Sequence, residues 1–291
     1  MAVVRTDARS LRGAARCVAV LSAGWLGCGI AKSQTAGAES IDATALVRRA
    51  IQHRMEEQKD HQPMRYVLRK KDERRETAKV IVETKDGDVA RLIEVDGRPL
   101  SADAERAEME RLNMLAAHPE MQEHRRKNEQ RDEARIDHVM AMLPDAELYE
   151  MEGVAPCDSG QCYRLSYKPN PNFTPPDLES DVLRGVAGEV WIDQAQERLV
   201  RLDAHFIADV DFGYGILGKL NKGGTATLRQ TRVDERNWEL TGMKVDLTGK
   251  ALMVKPFKVE IDEATSGYAA VAGMGYREGI EMLKRETVEA K

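Results

Sequence analysis

From Asp42 onward, apolar residues return every three or four positions (Val47, Ala50, Ile51, Met55) with Arg and Glu between them. That spacing predicts an amphipathic helix over 42–58. The period then drops to two. Tyr66/Leu68, Val80/Val82 and Val89/Ile93 alternate with polar residues in segments 64–69, 78–84 and 88–95, and Asp86-Gly87 and Asp96-Gly97 punctuate them. These are antiparallel strands joined by hairpin turns. Helical spacing resumes at Ser101 and is interrupted at His118-Pro119, where Pro can open a new helix; the result is a helical insertion over 101–143.

Beyond Pro144-Asp145 the two-residue alternation holds for about a hundred residues. Tyr163/Leu165/Tyr167, Val190/Ile192, Val200/Leu202/Ala204/Phe206, Ala226/Leu228, Met243/Val245/Leu247 and Phe257/Val259/Ile261 each mark one apolar face. Six strands in sequence predict a meander, and a C-terminal helical tail is expected at about 269–288. No strand leads into a helix that would complete a series of βαβ units, so the sheet is antiparallel and the class α+β. A meander with one apolar face needs cover, which helix 42–58 or segment 136–143 can supply.

Within the insertion, residues 120–138 are dominated by charges of both signs, including Arg125-Arg126-Lys127 flanked by Glu129, Asp132 and Glu133. Mixed signs at helical spacing predict a solvated, ion-paired helix, with an apolar face returning only at Ile136, Val139, Met140 and Leu143. The whole chain of 291 residues carries a net charge of −5, so no basic excess exists to meet a phosphate backbone and nucleic acid is not an expected partner.

The first 33 residues read differently. Arg5, Arg9, Arg12 and Arg16 precede an uncharged stretch from Cys17 to Ile30 that Lys32 closes. This is a signal peptide in outline, too short to span a bilayer, with cleavage expected before Gln34 or before Glu39. Leu26-Gly27-Cys28 partly resembles a lipoprotein acylation site, with Trp25 where Leu is usual, which leaves lipid anchoring through Cys28 as the alternative. Removing residues 1–33 takes away five cations (Arg5, Arg9, Arg12, Arg16, Lys32) and one anion (Asp7), moving the net charge from −5 to −9. The expected product is exported, acidic and without a transmembrane span. Two of the four cysteines then remain, Cys157 and Cys162, bracketing a four-residue turn; in an oxidising compartment these form a disulfide.

Motifs for chemistry are sparse. Gly213 to Gly218 has the G-x-G-x-x-G spacing, but a strand pattern follows it instead of a helix, so it reads as a glycine-rich bend. The histidines His53, His61, His118, His124, His138 and His205 form no metal-ligand spacing. Asp209 and Asp211 share a strand face and could form an acid/base pair, though surface solvation is the simpler assignment. Neither a cofactor nor an enzymatic activity is expected.

The run Gly188-Glu189-Val190-Trp191-Ile192-Asp193, followed by Arg201-Leu202-Asp203, Asp211-Phe212-Gly213-Tyr214-Gly215, Lys222-Gly223-Gly224 and Trp238, resembles exported bacterial proteins of the outer-membrane lipoprotein-sorting, or lipoprotein-carrier-like, superfamily. The resemblance covers roughly residues 145–262. It implies a strongly curved antiparallel sheet, an open half-barrel whose concave apolar side is covered by helices, within a single domain over 34–291. It also implies a periplasmic carrier or protein-binding module. The expected ligand-binding face is Val200, Leu202, Phe206, Leu228, Met243, Val245, Leu247, Phe257 and Val259, sheltering a lipid or lipoprotein acyl chain. The alternative is an envelope protein-interaction or sensing module in which the sheet is a filled scaffold and the charged helix meets the partner.

Overall fold

A computed structural model describes residues 41–57, 61–213, 217–234, 237–252 and 254–286. The predicted first helix is α1 (Ala43–Glu57), and four strands follow: β1 (Met64–Asp72), β2 (Glu76–Val82), β3 (Val89–Val95) and the short β4 (Arg98–Pro99). Asp96 and Gly97 both adopt positive φ, as a tight hairpin between β3 and β4 requires. Two helices, α2 (Ala102–Ala117) and α3 (Pro119–Ala146), then carry the chain away. Ser101 caps α2 by accepting a hydrogen bond from Ala104 N, and Pro119 opens α3 where its missing N–H costs nothing.

The remaining strands are β5 (Glu147–Cys157), β6 (Gly160–Pro169), β7 (Val186–Asp193), β8 (Leu199–Phe206), β9 (Val210–Phe212), β10 (Gly218–Leu220), β11 (Thr225–Arg232), β12 (Trp238–Ala251) and β13 (Lys255–Ala270), with a 3-10 turn at Ser180–Gly185 before β7. The chain ends in α4 (Tyr276–Arg285). The expected tail over 269–288 is thus divided: β13 keeps its pairing through Ala270, and α4 starts only where Glu278 Oε2 can accept from Gly275 N at 2.8 Å.

All pairings are antiparallel, and the strands form one open sheet in the order β4-β3-β2-β1-β13-β12-β11-β8-β7-β6-β5. Two meanders meet where β13 pairs with β1, placing the two ends of the sheet-forming chain side by side in its middle. The hairpin β9–β10 lies off this path against the far end of β12. Gly249 permits that junction, because a Cβ there would fall 2.2 Å from the carbonyl oxygen of Lys219.

Directly paired residues share a face, so one row crosses most of the sheet: Val190, Leu202, Leu228, Met243, Glu263, Lys70 and Thr77. At the β6–β8 end, this face packs against Leu46, Val47 and Ile51 of α1 and Met140 and Leu143 of α3. At the other end the helices lie on the opposite face. Ala78, Val80 and Val82, which alternate with Thr77, pack with Leu112 and Leu115 of α2 and Ile280 and Leu283 of α4. Buried Arg91 locks that second core by donating to the carbonyls of Leu283 and Glu286 at the end of α4, where a cation suits the helix dipole.

The charged α3 is more than a solvated strut. Gln122 is buried and donates to the carbonyl of Asp86 at 3.0 Å, seating the start of the helix on the β2–β3 turn. Near its other end, Asp137 pairs with the buried Arg54 of α1. The acidic and basic side chains between them form local pairs such as Arg126–Glu123 and Lys127–Glu123.

Cys157 and Cys162 are disulfide-bonded across the β5–β6 hairpin. The loop they close is short, so replacing both by Ala should cost about 2 kcal/mol, measured as a lowered urea midpoint at unchanged slope.

Candidate functional site

The site is built on the face that carries Leu202. Leu202, Leu228 and Met243 are directly paired neighbours on β8, β11 and β12, and the next row is Ala204, Ala226, Val245 and Ile261. Leu247 pairs with Val259, and Phe257 with Gly249, so alternation along β12 and β13 places all of these side chains on the same face. Phe206 lies at the end of β8, linked to Gly224 through its backbone N–H. Leu228, Leu240, Met243 and Ile261 form a cluster with Leu202, Val245 and Val259 that is drawn entirely from strands.

Burial along this strip is graded. Met243 is 1% exposed, whereas Val245, Leu247, Val259 and Phe257 are only half-buried as the strip approaches the β12–β13 turn. Val200 stands apart from the others of the predicted set: it packs with Cys162 and Trp238. The cause is a bulge. Trp191 opposes Arg201 while Ile192 opposes Leu199, so Val200 is the extra residue on β8 and leaves the strict alternation.

The opposite end of the same face turns polar. Met243 is followed across the sheet by Glu263, which pairs with Lys70 Nζ at 2.9 Å, and both side chains are almost wholly buried. Next to them, Thr265 Oγ1 donates to the carbonyl of Leu240, and the single Tyr268 hydroxyl proton has two acceptors within reach, Leu240 O at 2.8 Å and Thr265 Oγ1 at 2.7 Å. The Tyr268 ring lies 5.0 Å from that of Tyr66. Beyond the tyrosines, His61 sits between two acids, with Nε2 2.7 Å from Glu83 Oε2 and Nδ1 3.8 Å from Glu239 Oε1. The arrangement is an apolar strip with a buried ionic and hydroxyl patch at one end.

A second buried acid lies under the helical end. Glu147 is the first residue of β5, 2% exposed, and neither carboxylate oxygen has a hydrogen-bond partner among the described residues. Burial pushes its carboxyl up to about 9. Burial raises the phenols of Tyr149 and Tyr167, directly paired on β5 and β6, and the neighbouring Glu147 carboxylate adds to the rise.

The other sequence candidates are placed in ordinary surroundings. Gly213 and Gly218 flank the turn of the antiparallel β9–β10 hairpin, and Gly218 opens a strand, not a helix; residues 214–216 lie outside the described residues. Asp209 is held below the usual carboxylate range by Lys219 at 2.6 Å and by the Lys222 N–H, while Asp211 is its neighbour across from Lys219. Among the described residues, no group of three or more His, Cys, Asp or Glu side chains could hold a metal ion. Nor is any described helix long and apolar enough to cross a membrane. The signal segment, Cys28 included, lies outside the described residues.

Glu263, Lys70 and Glu147 were not among the sequence candidates, yet each carries a readable signal. Val259, Ile261, Glu263 and Thr265 are in one phase, as are Tyr66, Leu68 and Lys70, and Glu147 is in phase with Tyr149 and Met151. A charge occupying an apolar phase is the mark. Comparison with protein-family models, curated proteins and solved structures gives no match for the chain.

Proposed function

We propose that the chain is an exported, non-enzymatic binding protein of the bacterial cell envelope that holds an acyl chain or lipoprotein segment along the strip from Met243 to Phe257. The observation that carries this reading is the strand-only cluster around Met243, continuing into half-buried Val245, Leu247, Val259 and Phe257. Among the described residues the cluster around Met243 draws on strands alone, whereas Leu202 and Leu247 also pack against the core that α1 and α3 share with the sheet. The burial of Leu228, Leu240, Met243 and Ile261 in a strand-only cluster supports curvature, with strands sheltering one another as in an open half-barrel. Bulges supply the bending: register shifts occur between β1 and β13, β2 and β3, β5 and β6, β7 and β8, and β11 and β12. Each methylene of an acyl chain withdrawn from water there contributes about 0.8 kcal/mol, so no directional chemistry is needed.

A dansyl-labelled fatty acid tests the proposal. It should bind with a blue-shifted, enhanced emission, and unlabelled palmitate should displace it. Leu247→Asp places a charge on the half-buried part of the strip and should weaken binding at least tenfold. Failure of the folded wild type to bind the probe, together with a native mass free of lipid, would overturn the reading. The tight burial of Leu228, Leu240, Met243 and Ile261 favours the second reading in that case: a filled scaffold serving an envelope protein partner.

A further inference from the structure

The face of the sheet opposite Leu202 carries a row of arginines. Pairing sets Arg164 of β6 beside Trp191 of β7, Trp191 beside Arg201 of β8, and Arg201 beside Arg229 of β11. The row then runs into two small residues, Gly242 on β12 and Ala264 on β13. The guanidinium carbons of Arg164 and Arg201 lie 6.0 and 5.9 Å from the centre of the Trp191 ring, which stands between them in the row. An indole attracts cations within about 6 Å of its centre, so the ring holds both side chains in place. Arg229 is exposed and extends over Gly242, where an added Cβ would lie 3.9 Å from its Cδ. Like charges directly opposite on neighbouring strands destabilise a sheet, and Arg201 and Arg229 are such a pair. Asp203 neutralises Arg201, but Arg164 and Arg229 make no hydrogen bond or ion pair among the described residues. Local rules broken without a structural return point to function.

The surroundings of the row select its partner. The next row on the same face is Ser166, Glu189, Asp203, Thr227, Lys244 and Asp262. Beside Trp191 lies an apolar cluster of Val200, Trp238 and the Cys157–Cys162 bridge. A broad anionic surface such as a bilayer would meet Glu189, Asp203 and Asp262 as soon as it met the arginines. A single file of carboxylates would not. Arginine in place of lysine points the same way, since its planar fork takes a carboxylate through two N–H groups. With neighbouring strands about 4.8 Å apart, Arg164 and Arg229 are separated by about 14 Å, the span of four residues of extended chain at about 3.4 Å each.

We propose that the row Arg164, Trp191, Arg201 and Arg229 docks an extended acidic segment of a protein partner, laid across the strands with carboxylates at alternate residues, so that two of them four residues apart meet Arg164 and Arg229. The row lies on the other face of the sheet from the acyl-chain strip, and neither depends on the other. Fluorescence anisotropy of a fluorescein-labelled peptide of alternating glutamate and serine tests it, with the glutamine–serine peptide as reference. The full chain should bind the acidic peptide, more weakly as salt is raised, and leave the reference free. Arg164→Gln with Arg229→Gln should weaken binding about tenfold. Arg74→Gln with Arg75→Gln removes the same charge from the exposed β1–β2 turn and should leave binding nearly unchanged. Neither double variant should alter binding of the dansyl fatty acid. Arg229→Gln alone relieves the opposed pair, so its thermal midpoint should equal or exceed that of the wild type. The proposal is overturned if both peptides bind alike, if the two double variants lose affinity equally, or if Arg229→Gln lowers the midpoint by several degrees. Flotation with phosphatidylglycerol vesicles that Arg164→Gln with Arg229→Gln abolishes would also overturn it, by making the face a lipid contact.

Discussion

Glu147→Gln is expected to gain stability over the wild type as the pH rises, by about 1.4 kcal/mol for each pH unit at the steepest part of the curve. Burial raises the carboxyl from 4.5 to about 9, and neither of its oxygens has a hydrogen-bond partner among the described residues. Below about pH 4.5 both the folded and the unfolded chain hold this proton, and the stability associated with it is fully present. Between about 4.5 and 9 the unfolded chain releases the proton while the folded chain keeps it, so stability is lost progressively with rising pH. Gln keeps the shape without titrating. Every other group is common to the two proteins, so subtracting their urea-unfolding free energies at successive pH values isolates this one. A difference independent of pH would show that Glu147 is solvated when folded, and one that grows in the opposite direction would show it paired with a cation.

Glu147 matters because of its position. It is the residue at which α3 becomes β5, and it enters the core shared by α1, α3 and β6–β8 beside Tyr149 and Tyr167. Ionisation there would strain the contact that holds the helices on the sheet. Weakening with alkalinity should therefore begin at this end, and amide exchange in α1 should rise before exchange in β2, whose core is built with α2 and α4.

Local regularities carried much of this architecture into the sequence. Alternation located the strands from Tyr163 to Ile261, the Asp-Gly turn at 96–97 marked a hairpin, and the spacing of Cys157 and Cys162 marked a bridge that the structure contains. What alternation cannot carry is non-local pairing: nothing near Met64 announces that it lies opposite Ala270, two hundred residues away. Three-residue strands such as β9 and β10 are too short to show a period. Gln122 was hidden for another reason, since it docks α3 through a polar contact and periodicity counts only apolar ones. The site was legible in the same proportion. Leu202, Leu228, Met243 and Val245 share the face that their phase assigns them, a bulge displaces Val200, and the charged residues of the same face stay hidden because an apolar period does not count them.

The buried pair Lys70–Glu263 shows how much a charge at an apolar phase matters to the fold. Replacing Lys70 by Met keeps the length of the side chain but leaves the Glu263 carboxylate next to Met243 without its cation. The expected loss is about 3–5 kcal/mol, because breaking a buried ion pair from one side costs more than the pair contributed. Removing both charges, with Lys70→Met and Glu263→Leu together, should recover most or all of that loss, since β13 and β1 then meet through apolar side chains. Chemical denaturation of the wild type, both single variants and the double variant closes the cycle. If the double variant is as unstable as Lys70→Met, the pair is held by more than mutual neutralisation, and its neighbours Thr265 and Tyr268 are part of the same network. If the double variant is fully stable but binds the dansyl fatty acid with altered selectivity for the head group, the ion pair serves the ligand and not the fold. The strip would then be polar at one end because its occupant is.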